Sequence, residues 1–71
     1  MYLPQHEKTL TIRERAVLSQ VADGFTNRAI AHHLRISETT VKEHVRTIRH
    51  KLKTCNRTHT AVVALRLGLI T

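Results

Sequence analysis

Residues 26–52 read TNRAIAHHLRISETTVKEHVRTIRHKL, two helical apolar periods separated by a short break. Ile30, Ala31 and Leu34 share one helical face, and Thr26 stands ahead of them as an N-cap, so a short helix is expected to end near Arg35. Ile36 falls in the turn as a core plug, and Ser37 caps a longer helix. In that helix Val41, Val45, Ile48 and Leu52 recur at i, i+4, i+7 and i+11 as a seam for burial. Lys42, Arg46, Arg49 and Lys53 repeat the same spacing one residue later. Because one residue advances about 100° around a helix, a basic stripe runs beside the buried seam and faces solvent. A short helix, a tight turn and a longer basic helix form a helix-turn-helix. Ala31 is small where the two helices cross, and Val41 closes the contact from the other side.

Outward from this stretch, Thr11-Ile12-Arg13-Glu14 is a capping box that opens helix one. Val17, Leu18, Val21 and Ala22 give that helix an apolar stripe, and Gly24 stops it by taking the left-handed conformation. Phe25 is expected to fold back onto its last turn. Helix four is expected from about Arg57 to Leu67, with Gly68 as its stop. Ala61, Val62, Val63, Ala64, Leu65 and Leu67 leave it almost no polar face, so it is buried on more than one side; the second side is assigned to another subunit. The fold class is therefore all-α, a four-helix bundle containing a helix-turn-helix in helices two and three. Residues 1–9 are polar and aperiodic and read as a flexible N-terminal tether. Residues 10–71 form the domain.

A chain of 71 residues is one domain, and it buries only about 60% of its unfolded surface, too little for an enzyme-like cleft. Twelve Lys and Arg against five Asp and Glu give a formal charge of +7, which attracts polyanions. No stretch approaches the ~18 apolar residues of a membrane span. The basic helix lacks the Trp and Phe of a membrane-surface helix, and residues 1–8 lack the apolar run of a signal peptide. One cysteine excludes an internal disulfide and fits a reducing cytoplasm. Among six histidines, His32 and His33 are adjacent and His59 lies four residues after Cys55. Zinc asks for four ligands, so no metal and no cofactor are expected, nor a catalytic role for Cys55.

Nucleic acid is the partner that suits this charge. A helix fits the DNA major groove, about 12 Å wide, and the exposed start of helix three offers Thr39, Lys42, Glu43 and Arg46. Phosphate repels Glu43; it either accepts from cytosine N4 or is a solubilising charge. Thr26, Asn27, Thr39 and Thr40 stand at helix starts, where free amides and the dipole favour phosphate; simple capping is the alternative, and both can hold at once. Arg49 and Lys53 lie further along and meet phosphate rather than bases. Lys51 is read as an ion-pair partner for Glu14.

The pieces LTIRERAVL (10–18), ADGFTNRAIAHHL (22–34), ISETTVKEHV (36–45), KL (51–52), NRT (56–58) and ALRLGLI (64–70) together resemble the LuxR-type, or GerE-type, DNA-binding domain of response regulators and quorum-sensing activators. The resemblance implies a four-helix domain in which helix three reads the major groove and helix four pairs two subunits. Lys42 and Arg46 match the family's major-groove positions, with Glu43 between them. His44 matches a family position at the core edge or the DNA backbone. Val63, Leu67 and Ile70 are the residues expected at a dimer interface. The chain departs from the pattern at Ala29, where an acid is usual, at Lys53, where glycine is common, and at His59. The expected function is sequence-specific binding of double-stranded DNA by the output domain of a cytoplasmic bacterial transcription regulator. The expected operator is a pseudo-palindrome met by a homodimer, with RNA polymerase as a further partner. The alternative is a protein-interaction module that modulates another regulator or RNA polymerase through helix four. A non-specific nucleoid or RNA binder is a third reading, disfavoured by Glu43.

Overall fold

The computed structural model describes residues 10–70 as four helices: α1 (Ile12–Ala22), α2 (Asn27–Leu34), α3 (Glu38–Leu52) and α4 (Arg57–Arg66). The tether expected over 1–9 lies outside the described residues. Every helix opens on a side-chain cap. Thr11, Thr26, Ser37 and Asn56 accept from the amides of Glu14, Ala29, Thr40 and His59 at 3.0, 3.1, 3.0 and 2.8 Å. At α1 the box is reciprocal, since the Thr11 amide donates to Glu14 Oε1 at 3.0 Å. With Ala29 in the corresponding place, α2 has only the one-way cap.

The four helices also end alike. Residues Gly24, Arg35, Lys53 and Gly68 take positive φ. After each, the next amide reaches back to a carbonyl five residues earlier: Phe25 to Gln20, Ile36 to Ala31, Thr54 to Arg49 and Leu69 to Ala64, at 2.9 to 3.1 Å. These bonds satisfy carbonyls that a helix end otherwise leaves open. Two of the four left-handed positions carry long basic side chains, where the backbone costs more than it does for glycine.

The core unites Val17, Leu18 and Val21 of α1, Ile30 and Ala31 of α2, Val41 and Ile48 of α3 and Ala64 of α4, closed by Leu10, Leu69 and Ile70. Ala22, Leu34, Ile36, Val45 and Leu52 pack as a half-buried rim. Across it, Lys51 Nζ meets Glu14 Oε1 at 2.8 Å and ties α3 to the start of α1. Arg13 Nη1 donates to the Leu34 carbonyl and Arg15 Nη1 to that of Leu69, both at 3.2 Å.

Three expectations change. The Phe25 ring stands edge-on to His33 of α2, centroids 5.0 Å apart, while only its backbone turns back to α1. α4 closes at Arg66, so Leu67 belongs to the turn. Ile70, expected at a dimer face, is 9% exposed and fills the core instead, because the Leu69 amide folds the chain back over Ala64. One side of α4, through Thr60 and Ala64, is buried, while Val62, Leu65 and Leu67 are 38, 50 and 51% exposed.

Candidate nucleic-acid interface

Burial of Val41 and Ile48 fixes the rotation of α3. At 100° per residue, the opposite face is centred on Thr39, Glu43, Arg46 and His50, with Lys42 and Lys53 on one flank. Lys42, Glu43 and Arg46 are all exposed. Lys42 and Arg46 lie one turn apart, about 6 Å along the axis. None of the three has a hydrogen-bond or ion-pair partner among the described residues, so all three charges are presented outward. An open groove lined by Glu43, Arg46, Thr47, Arg49, His50, Lys53 and Thr54 continues this face toward the end of the helix.

The phosphate candidates divide. Thr39 is exposed, while the Thr40 hydroxyl is engaged with Ser37 Oγ at 2.8 Å within the cap. Thr26 is occupied in capping α2. Asn27, the first residue of α2, receives Arg57 Nη1 on Oδ1 at 2.6 Å, and the same guanidinium donates through Nη2 to the Phe25 carbonyl at 2.7 Å. Lys53 is exposed in the left-handed residue that closes α3. Arg49, expected to point at phosphate, is half-buried. Its Nη2 donates to the Cys55 carbonyl at 2.8 Å, and its buried Nε has no partner among the described residues. It braces the loop into α4. The sequence counted Arg49 in the stripe because spacing gives its angle on the helix but not the neighbour it meets.

Two further residues belong to this surface. His50 lies on the outward face two turns beyond Glu43, and Arg28 is exposed in the first turn of α2, which has no acid. A cation is disfavoured at the positive end of a helix, and that misplacement is the sequence signal that marks Arg28. Cys55 Sγ lies 3.2 Å from His59 Nδ1. Among the described residues no three His, Cys, Asp or Glu gather to hold a metal, and no helix is long and apolar enough to cross a membrane.

A capped α2, a three-residue turn and an exposed basic α3 over a shared core define a helix-turn-helix of the kind that binds DNA in transcription regulators. Residues 8–64 match the family described as bacterial regulatory proteins, luxR family, and the chain belongs to it. It is 44% identical over 68 residues to the uncharacterized transcriptional regulatory protein YhcZ of Bacillus subtilis (strain 168), covering 93% of this chain and 32% of that protein. It is 43% identical over 61 residues to the transcriptional regulatory protein DegU of Brevibacillus brevis, covering 86% and 26%. A solved structure described as the transcription factor GerE superposes with a TM-score of 0.83 at 32% identity, covering 87% of this chain and 92% of that one. The chain thus spans about a quarter to a third of the length of these regulatory relatives. Its family works by DNA-binding transcription regulation and not by catalysis.

Proposed function

We propose that the domain binds double-stranded DNA in a sequence-specific manner, with α3 in the major groove. The observation that carries this is the outward trio Lys42, Glu43 and Arg46, exposed and without partners among the described residues. Lys42 and Arg46 are placed to donate to guanine O6 and N7, the commonest specific contact, and Glu43 to accept from cytosine N4. Around them, Thr26, Asn27, Thr39 and Thr40 at the starts of α2 and α3 approach phosphate, with Lys53 beyond the end of α3. Arg49 contributes by bracing the loop. A homodimer formed through Val62, Leu65 and Leu67, with Val63 at the edge, would set two such helices on a pseudo-palindrome one helical turn apart. This work belongs to the cytoplasm, where the nucleoid lies.

The test is Lys42→Ala and Arg46→Ala, each titrated against an operator and its single-base variants. Each is expected to cost ~1–3 kcal/mol and to relax discrimination at particular base pairs. A loss uniform across all sequences would make the two residues phosphate contacts. The exposed apolar strip of α4 supports a second reading, a module that docks on another regulator or on RNA polymerase. That reading expects α4 substitutions to abolish function while α3 substitutions leave it intact.

A further inference from the structure

Arg57 occupies an unfavourable place. It is the first residue of α4, where the helix presents its positive end and a cation is disfavoured. α4 has no acid in its first turn to offset it. Instead the guanidinium crosses thirty positions of sequence to the start of α2, where it holds the Asn27 side-chain oxygen at 2.6 Å and the Phe25 carbonyl at 2.7 Å. A guanidinium has only donors, so the Asn27 atom that faces it must be Oδ1. That fixes the amide. Nδ2 is turned away from Arg57, and among the described residues it donates to nothing.

The start of α2 is short of negative charge in a second way. Its first turn has no acid and exposes Arg28. The exposed Arg28, the unpaired amide groups at a helix start and an Asn with both side-chain N–H bonds open converge there. That is an unfavourable gathering in the free protein and a favourable one beside an anion.

We infer that Arg57 is a positioning residue for DNA binding: by holding Oδ1 it aims the Asn27 Nδ2 amide at a backbone phosphate. This deepens the proposed function and rests on its reading of α2 as a phosphate contact. Arg57 itself is turned inward to α2 and the preceding turn, and neutralises no phosphate. The role separates from a merely structural one. Without Arg57 the Asn27 side chain turns freely, and one well-aimed hydrogen bond to phosphate is lost without any phosphate charge being released.

The experiment titrates the purified chain, Arg57→Met, Asn27→Ala, the double variant and Asn27→Asp against a random-sequence duplex of about two helical turns, across a series of salt concentrations. Phosphate contacts carry no sequence information, so no operator is needed. Both single substitutions are expected to weaken binding roughly tenfold or more, the worth of a hydrogen bond to a charged group. The double variant should lose no more than the larger single loss, as coupled residues do. The slope of log affinity against log salt should stay unchanged in Arg57→Met. Asn27→Asp keeps an acceptor for Arg57, so the domain should stay folded with its thermal midpoint held or raised, yet it should bind weakly because the donor is gone. Wild-type affinity in Asn27→Asp or in folded Arg57→Met would overturn the inference. So would additive losses, or a slope reduced by about 0.9 in Arg57→Met, which would make Arg57 a direct phosphate contact. Failure of the unaltered chain to bind any duplex would strike the proposed function itself, and the inference with it.

Discussion

Glu14 performs two tasks with one carboxylate: it completes the α1 capping box and receives Lys51. Burial pushes its pKa up, but the Lys51 hydrogen bond, the Thr11 amide and the charges of Lys51 and His44 outweigh burial and leave it below its ordinary value of 4.5. A carboxyl depressed in the folded state stabilises the fold above its unfolded pKa. That contribution disappears as pH falls through the lower, folded value. Glu14→Gln preserves the box, since Gln also serves at that position, and removes only the charge. Near neutral pH the variant should be less stable by up to about 1 kcal/mol. In denaturant titrations the gap should close below pH 4.5, and a gap that persists in acid would mean the ion pair contributes little. This pair was legible in the sequence because both residues had a stated job. Arg57 was not, because its partner lies thirty residues away and no periodicity links them. Its one visible sign was a cation at the wrong end of a helix.

At the scale of elements, helix starts and stops were readable because caps are local chemistry. Thr11, Thr26 and Ser37 open helices as their side chains require, and Gly24 and Gly68 close them. The ends at Arg35 and Lys53 were less legible, since no glycine announces the left-handed turn that each adopts. Lys53→Gly should relieve that backbone cost and raise stability by up to about 1 kcal/mol, roughly 4–8 °C in Tm for a domain of this size. The same change removes a cation next to the groove, so the salt slope of DNA binding should fall by about 0.9 if Lys53 meets a phosphate. A lower Tm would show that Lys53 makes a compensating contact. α4 was the least legible helix. Its composition marked it as apolar on all sides, but not that Ile70 would fold under it while Leu65 and Leu67 stay outside. Pattern fixes a helix's face only when polar residues mark the other side.

The whole molecule joins an exposed basic face on α3 to an exposed apolar strip on α4 through one small shared core. With a charge of +7 on 71 residues, affinity for DNA should fall steeply with salt as counterions are released. If the α4 strip pairs two copies, Leu65→Asp with Leu67→Asp should weaken binding to an inverted repeat at least tenfold while leaving a single half-site unaffected. Equal losses on both duplexes would place the strip outside dimerisation. The fold and family follow from the sequence pattern. Which residues cooperate across helices follows from the packing. Base reading by α3, as against adhesion to phosphate alone, is tested by selecting bound duplexes from a randomised pool at roughly physiological salt. A short motif should be enriched, arranged as an inverted repeat with half-sites about one turn apart. A folded protein that retains duplexes without enriching any sequence would contradict it.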